Sequence, residues 1–189
     1  MRLGRHTEAI AFYKQSLEIA RDIGDRRGEA YSLNNLGNAY YSLGRHTEAI
    51  AFYEQSLEIF RDIGDRRGEA YSLNNLGEAY DGLEDYQQAL SFYQQALTIA
   101  DEIQSSLRQA EIWYNFGKTL TKCDRIPDAL GAYRNARQLY QQLQLEHKIE
   151  ECDVAIQQLE TPPPSPLTPW QKLRQLYRRF VQFIRNLFS

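Results

Sequence analysis

The sequence has few of the residues on which catalytic and metal-binding chemistry depends. It contains two cysteines, three histidines and one methionine among 189 residues. The spacing of Cys123 and Cys152 matches no metal or redox motif, and no glycine-rich phosphate loop or metal-ligating histidine pair is present. We therefore expect no catalytic site, no metal site and no cofactor. Both cysteines fall at apolar positions of predicted helices, which favours buried, reduced thiols.

Long apolar runs are also absent. No stretch reaches the roughly 18 uninterrupted apolar residues that a membrane-spanning helix needs. Met1 is followed at once by repeat sequence, without an apolar run of signal-peptide length. These two absences favour a cytoplasmic protein.

The charge is unevenly distributed along the chain. The net charge is −3, and residues 161–189 contribute five basic side chains and no acidic one, which leaves −8 on residues 1–160. Phosphate binding requires a basic face, so an acidic body argues against nucleic acid as a partner. The basic tail calls for a separate explanation.

What the sequence does contain is a repeat of 40 residues. Residues 4–43 recur as residues 44–83 with five differences, a weaker copy occupies 84–123, and a fourth begins at Asp124 and fades by about Glu160. A period of this length is typical of stacked arrays, in which no single unit buries its apolar face alone. Function should therefore be sought on surfaces that extend along the array.

Each copy has the pattern of two helices. Apolar residues return every three or four positions, and the pattern breaks around Gly44 and Gly64. Glycine suits the left-handed residue that ends a helix, Asp65 can cap the helix that follows, and Pro127 suits the first turn of another. Small residues at matching positions of the two helices would allow close approach. These expected pairs are Gly37 with Ala49, Gly77 with Ala89 and Gly117 with Ala129.

The residues at fixed positions of the repeat form a signature. It reads Leu36-Gly37-Asn38-Ala39-Tyr40 with Gly44, Ala49, Tyr53 and Leu57, then Leu76-Gly77-Glu78-Ala79-Tyr80 with Ala89, Tyr93 and Ala96, then Phe116-Gly117 with Leu120, Ala129, Tyr133 and Ala136. This pattern resembles the tetratricopeptide repeat over roughly residues 4–160. The resemblance implies an all-α, right-handed α-α superhelix. The period of 40, rather than about 34, is similar to the repeats of kinesin light chain and of Pins-type polarity adaptors.

The repeat divides the chain into segments. An unpaired helix is expected at 5–24, repeats at about 28–63, 68–104 and 108–143, a capping helix at about 147–160, a proline-rich linker at 161–170 and a basic amphipathic helix at 171–189. The first helix lacks a partner for an apolar face that includes Ile10, Tyr13 and Leu17. Either the natural chain is longer, or this face supports self-association.

Each first helix of a repeat also has a polar face. In the proteins that the chain resembles, the matching positions line a concave groove, and an asparagine there bonds the backbone of an extended peptide. An amide suits this task because it offers a donor and an acceptor together. The alternative is that each asparagine bonds only an adjacent helix. The peptide-binding candidates are Tyr31, Asn34, Asn35, Asn38, Tyr71, Asn74, Asn75, Glu78, Tyr114, Asn115 and Lys118.

The charge of these candidates restricts the ligand. Relatives that bind an acidic C-terminal tail have Lys or Arg where this chain has Asn34, Asn74 and Tyr114. With Glu78 and Glu111 nearby, a neutral or basic peptide segment is the better expectation. The sequence thus predicts a non-catalytic protein-interaction scaffold or adaptor.

The tail has apolar and basic residues on opposite sides at helical spacing. It is expected to bind an anionic membrane surface, to fill a groove on another protein or on the array itself, or to pack on the capping helix. The alternative function is therefore a peripheral membrane module, with the array as spacer or oligomerisation unit. The residues are Trp170, Lys172, Leu173, Arg174, Leu176, Tyr177, Arg178, Arg179, Phe180, Phe183, Ile184, Arg185 and Leu187.

Overall fold

The computed structural model describes residues 2–161 and residue 174, with side chains from residue 7 onward. The chain divides into two compact units, Met1–Ile156 and Gln157–Ser189. The helical array up to residue 156 and the candidate site belong to the first unit. Most of the predicted linker and tail lies outside the described residues.

Eight α-helices and no strand make up the regular structure between residues 2 and 161. The all-α fold expected from the periodicity is confirmed. Three pairs of helices, α2 with α3, α4 with α5 and α6 with α7, follow the unpaired α1 and precede α8. The bounds are α1 (Arg2–Asp22), α2 (Arg26–Ser42), α3 (His46–Asp62), α4 (Arg66–Gly82), α5 (Tyr86–Glu102), α6 (Ser106–Lys122), α7 (Ile126–Gln142) and α8 (Glu146–Glu160).

The turns between helices use the same backbone geometry in every copy. Asp65 caps α4 by accepting a hydrogen bond from the backbone N–H of Gly68, and Pro127 lies in the first turn of α7, as the sequence predicts. The helix before each turn ends at a left-handed residue. This residue is Gly24, Gly44 or Gly64 at φ 69–73° in the early turns, and Glu84, Gln104, Asp124 or Gln144 at φ 52–62° in the later ones.

The glycines inside the first helices make room for tyrosine rings. A Cβ atom on Gly37 would lie 2.4 Å from the Cε1 atom of Tyr53, and one on Gly77 would lie 2.5 Å from Cε1 of Tyr93. Glycine is therefore required at these positions because of the tyrosine ring that packs against it, rather than because of the alanine that the sequence predicts as its neighbour. The contact is looser in the third repeat, where a Cβ atom on Gly117 would lie 3.0 Å from the ring of Tyr133.

The core of the array consists of apolar clusters that each join several helices. One apolar cluster runs from Leu17 in α1 to Ile112 in α6, and a second joins α6, α7 and α8 around Tyr140 and Cys152. Burial, together with nearby carboxylates, raises the pKa of the Cys152 thiol to about 11. The prediction of a buried thiol is confirmed for Cys152, whereas Cys123 at the end of α6 is half-buried.

The exposed apolar side chains of α1 and of the turn that follows it differ from those that the sequence predicts. Leu17 is buried, and Ile10 and Tyr13 pack partly against the core. The exposed apolar side chains are instead Phe12, Ile19 and Ile23, at 67%, 53% and 72% exposure. At the matching positions of α3, Phe52 stacks on Tyr40 with ring centroids 5.1 Å apart, and Ile59 is buried. Self-association through α1 stays a prediction.

Candidate peptide-binding site

A pocket of about 390 Å³ lies along the first helices of the second and third repeats. Helices α4 and α6 supply most of its lining, and α2, α7 and α8 supply one side chain each. The site therefore requires several repeats. Its lining residues are Asn38, Tyr71, Asn74, Asn75, Glu78, Arg108, Glu111, Tyr114, Asn115, Tyr140 and Lys148.

Most of the candidates from the sequence meet in this pocket. Seven of the eleven line it, namely Asn38, Tyr71, Asn74, Asn75, Glu78, Tyr114 and Asn115. The remaining four, Tyr31, Asn34, Asn35 and Lys118, do not. Tyr31 instead packs edge-on against Phe60, with ring centroids 5.0 Å apart, and Lys118 is exposed.

Four lining residues are not among the candidates: Glu111, which the sequence indicates only as a nearby charge, and Arg108, Tyr140 and Lys148. Arg108 and Lys148 occupy the repeat position that holds Gly28 and Gly68 in the first two copies. That change from glycine to two successive cations was a signal that could have identified them. Tyr140 belongs to α7, a second helix of a repeat, so an alignment of first helices cannot find it.

Asn34 is part of the interior rather than the pocket. It is fully buried, and its Nδ2 atom donates to Ser56 Oγ at 2.6 Å and to Ser72 Oγ at 2.8 Å. Its Oδ1 atom accepts from Asn75 Nδ2 at 3.1 Å. Both ends of the amide are thus bonded within the protein, so Asn34 supports the packing of α2 on α4.

Asn74 occupies the same repeat position but has a different environment. The partners that Asn34 finds in Ser56 and Ser72 are replaced one repeat later by Ala96 and Ile112, which offer no hydrogen bond. Asn74 Nδ2 instead donates to Glu78 Oε1 at 2.9 Å, and its Oδ1 accepts from Asn115 Nδ2 at 3.3 Å. The loss of two serines therefore helps to bring this amide to the pocket.

The row of Asn75 and Asn115 connects successive repeats. Asn75 Nδ2 donates to Asn34 and, at 3.4 Å, to Asn38 Oδ1. Asn115 makes the matching pair of bonds, to Asn74 and, at 2.7 Å, to Glu78 Oε1. Both asparagines thus bond an adjacent helix, and both also line the pocket, so the choice between a packing role and a ligand-binding role stays a prediction. Asn35 is half-buried on the first helix of the first repeat.

Glu78 has an unusual electrostatic position. Burial raises the pKa of its carboxyl group, although bonds from Asn74 and Asn115 and the charge of Lys118 act in the opposite direction. Both hydrogen bonds described for Glu78 fall on Oε1. Among the described residues no salt bridge reaches this carboxylate.

The two cations of the pocket, in contrast, are already paired. Arg108 Nη1 donates to Glu111 Oε2 at 2.6 Å, and its guanidinium group lies over the ring of Tyr71, 5.0 Å from the centroid. Lys148 Nζ lies 2.8 Å from Glu151 Oε2. The pocket therefore offers amides, tyrosines and one unpaired carboxylate.

Neither a membrane-spanning helix nor a metal-ligating cluster occurs among the described residues. Within residues 2–161 no helix is both long and apolar enough to cross a bilayer, and no group of three or more His, Cys, Asp or Glu side chains is placed to hold a metal ion. Arg174 is helical and exposed. The other tail candidates lie outside the described residues: Trp170, Lys172, Leu173, Leu176, Tyr177, Arg178, Arg179, Phe180, Phe183, Ile184, Arg185 and Leu187.

Solved structures share this fold. BtubC (BKLC) from P. vanneervenii superposes with a TM-score of 0.68 at 20% identity, over 78% of this chain and 62% of that protein. The apo form of RapI superposes with a TM-score of 0.73 at 14% identity, over 98% of this chain and 48% of RapI. The chain thus spans less than two thirds of either protein, and likeness at these identities shows the fold alone.

Sequence comparison identifies the family of the chain. No curated protein matches the chain. The family model of the tetratricopeptide repeat matches residues 1–62 and 30–102, which together make up more than half of the chain. The chain belongs to the tetratricopeptide repeat family, whose helical arrays are protein-interaction scaffolds.

Proposed function

We propose that the chain binds a peptide segment of a partner protein in the pocket between α4 and α6, without chemistry of its own. The observation that carries this proposal is the set of side-chain amides in the lining, from Asn74, Asn75 and Asn115. A peptide unit presents one donor and one acceptor, and an amide side chain can match both.

The remaining lining suits a side chain of the ligand. Tyr71 and Tyr114, both half-buried, each provide an apolar ring with a polar hydroxyl group, and such rings contribute contact area at low entropic cost. A volume of about 390 Å³ is within the usual range for a ligand pocket. A peptide would therefore anchor here by one or two side chains.

The electrostatics favour a neutral or basic segment. Arg108 and Lys148 are each engaged by a glutamate of the array, so an acidic ligand would have to compete for them. The body of the chain carries a net charge of −8, obtained by removing the five tail cations from the total of −3. Repulsion of an acidic segment follows from this charge.

The test is selection of a random displayed peptide library on the full chain, followed by titration of a selected peptide. We expect Asn115→Ala to weaken its binding about tenfold or more. Asn35→Ala is the matched control, because it removes the same amide from the same repeat position outside the pocket. The proposal fails if no peptide is enriched, or if the two variants bind the selected peptide equally.

The alternative function, a peripheral membrane module, is favoured by the amphipathic pattern of residues 171–189. Its test is flotation of the full chain with neutral and anionic liposomes at low and high salt. Phe180→Glu should release the protein if the tail binds lipid. Flotation that this variant leaves unchanged would argue against the tail as the anchor.

A further inference from the structure

Two of the five differences between the near-identical copies place new carboxylates on α4. Asn38 of the first copy becomes Glu78 in the second, and Tyr41 becomes Asp81. The two positions lie within one turn of the helix. The two carboxylates have different bonding partners in the structure, so they can be compared directly.

Asp81 is fully compensated within the array. Its Oδ1 atom accepts from Thr119 Oγ1 at 2.8 Å, and its Oδ2 atom lies 2.5 Å from Lys122 Nζ. Lys122 and Thr119 both belong to α6, so this carboxylate ties the second repeat to the third. Asp81 therefore has a structural partner for its charge.

Glu78 has only neutral hydrogen-bond donors. Asn74 and Asn115 both donate to Oε1, and no described hydrogen bond or salt bridge uses Oε2. Since Glu78 lines the pocket, the unused oxygen is available from there. Glu78 is half-buried, and burial raises its pKa although the charge of Lys118 acts in the opposite direction. A carboxylate that is partly withdrawn from water without a salt-bridge partner destabilises the folded protein. Such a cost is typical of groups kept for binding.

The ring wall near this carboxylate accepts a cation. The guanidinium group of Arg108 already lies over one face of Tyr71, and Tyr114 adds a second half-buried ring to the lining. Carboxylate and tyrosine together are the usual environment for an ammonium or guanidinium group in a protein pocket.

We infer that Glu78 forms a subsite for a basic side chain, the ammonium of lysine or the guanidinium of arginine, presented by the bound peptide. This inference rests on the proposed function and adds the class of residue that the ligand must contain. Oε2 of Glu78 receives the cation, Oε1 stays bonded to Asn74 and Asn115, and the tyrosines enclose the aliphatic stem. Nothing in this subsite requires the rest of the ligand to be basic.

The direct probe is a small capped amino acid rather than an unidentified partner. N-acetyl-arginine amide and N-acetyl-lysine amide are titrated into the isotope-labelled full chain, and the side-chain NH2 signals of Asn74 and Asn115 are followed by NMR. We expect saturable shifts of these signals with one or both basic probes. N-acetyl-norleucine amide, which keeps the stem without the charge, should produce no saturable shift.

Glu78→Gln is the variant that tests the role of the charge. It keeps an Oε1 acceptor for both asparagines, and we expect it to weaken binding of the basic probe at least tenfold while its unfolding midpoint at neutral pH is unchanged or higher. Glu58→Gln, an exposed change of equal charge outside the pocket, should leave binding unchanged. Equal binding of the basic probe by Glu78→Gln and the parent chain would overturn the inference.

The two proposals can fail separately. A selected peptide that depends on Asn115 but has no basic residue coupled to Glu78 would overturn this inference and leave the proposed function standing. If no peptide is enriched and neither basic probe shifts the asparagine signals, both are overturned. Strong coupling between Glu78 and one basic position of the selected peptide, measured by a double-mutant cycle, would support both.

Discussion

Asn34 is enclosed at the junction between α2 and α4, whereas its counterpart Asn74 lines a pocket along α4 and α6, although the same asparagine positions meet at both junctions. In the first junction Asn34 lies between two serines and has no access to solvent. In the second, Asn74 faces Glu78 and Asn115 and lines a cavity of about 390 Å³. Duplication preserved the asparagine, and its surroundings changed.

This difference shows that the candidate site arises where the copies diverge. The serines at 56 and 72 become Ala96 and Ile112, and the asparagine at 38 becomes Glu78. Each change removes a polar partner from the interior or adds charge at the surface of the pocket. The near-identical copies thus form a regular stack of helices, and the divergent third copy completes the proposed binding surface.

The largest effect should come from removing the buried amide. Asn34→Ala should lower the free energy of unfolding by about 2–3 kcal/mol, because Ser72 and Asn75 lose a buried partner and a small cavity remains. Asn74→Ala should cost less, about 1 kcal/mol, since Glu78 Oε1 keeps its hydrogen bond from Asn115 and Asn74, although only 4% exposed, lies at the wall of a pocket rather than between two serines. Chemical denaturation measures the loss of stability in each variant. Equal losses would contradict the distinction between an asparagine enclosed by the array and one at the pocket wall.

A second comparison concerns the glycines beneath the tyrosine rings. Gly77→Ala should destabilise the protein by about 1–2 kcal/mol, because overpacking against Tyr93 exceeds the gain in helix propensity. Gly117→Ala should be close to neutral, since its Cβ atom would meet Tyr133 at 3.0 Å rather than 2.5 Å. Thermal unfolding of the two variants measures this difference. A larger loss for Gly117→Ala would show that the ring of Tyr133 is the more tightly held.

The third prediction concerns the pH dependence of the unpaired carboxylate. The pKa of Glu78 in the folded protein is raised by burial above the ordinary value of 4.5, so the folded state binds its proton more tightly than the unfolded state does. The stability that protonated Glu78 confers is complete below pH 4.5 and is lost as the pH rises through the folded pKa. Glu78→Gln should therefore gain about 0.5–1 kcal/mol over the parent chain at pH 7 and lose this advantage below pH 4.5.

Glu29 is the matched control for this pH dependence. Burial alone would raise its pKa, but the hydrogen bonds from Arg21 and Arg26 outweigh burial and lower it. Its contribution is present above pH 4.5 and is lost as the pH falls through the folded pKa, so Glu29→Gln should destabilise at pH 7. Urea unfolding from pH 3 to pH 8 distinguishes the two variants. Loss of stability at pH 7 in both would contradict the assignment of Glu78 as an uncompensated charge.

The smallest effect should come from the turns. Gln104 holds a left-handed backbone at φ 52°, where the earlier copies use glycine, as at Gly64. Gln104→Gly should stabilise the protein by up to about 1 kcal/mol, and Gly64→Gln should cost a similar amount, because a side chain in this region is strained. The midpoints of urea unfolding measure both changes. A loss of stability in Gln104→Gly would show that this side chain contributes a favourable contact.

The sequence predicted the helices well because their signals are local. The three-to-four-residue periodicity, the glycine turns and the cap at Asp65 depend only on neighbouring residues. It also identified most of the pocket, because the first helices repeat in register. Prediction was less successful for Asn34, since its orientation depends on Ser56 and Ser72 in other helices. It missed Tyr140, which reaches the pocket from a second helix.

By itself, the sequence determined the repeat, its all-α fold, its family and the acidic character of its body, because periodicity, turn chemistry and composition are properties of the chain alone. Tertiary structure alone decided which asparagine is enclosed and which lines the pocket, and which of the carboxylates Glu78 and Asp81 receives a cation. The physical reason is that hydrogen bonding and desolvation of a polar side chain depend on atoms about forty residues away. Two copies that are nearly identical in sequence therefore contribute differently to the site.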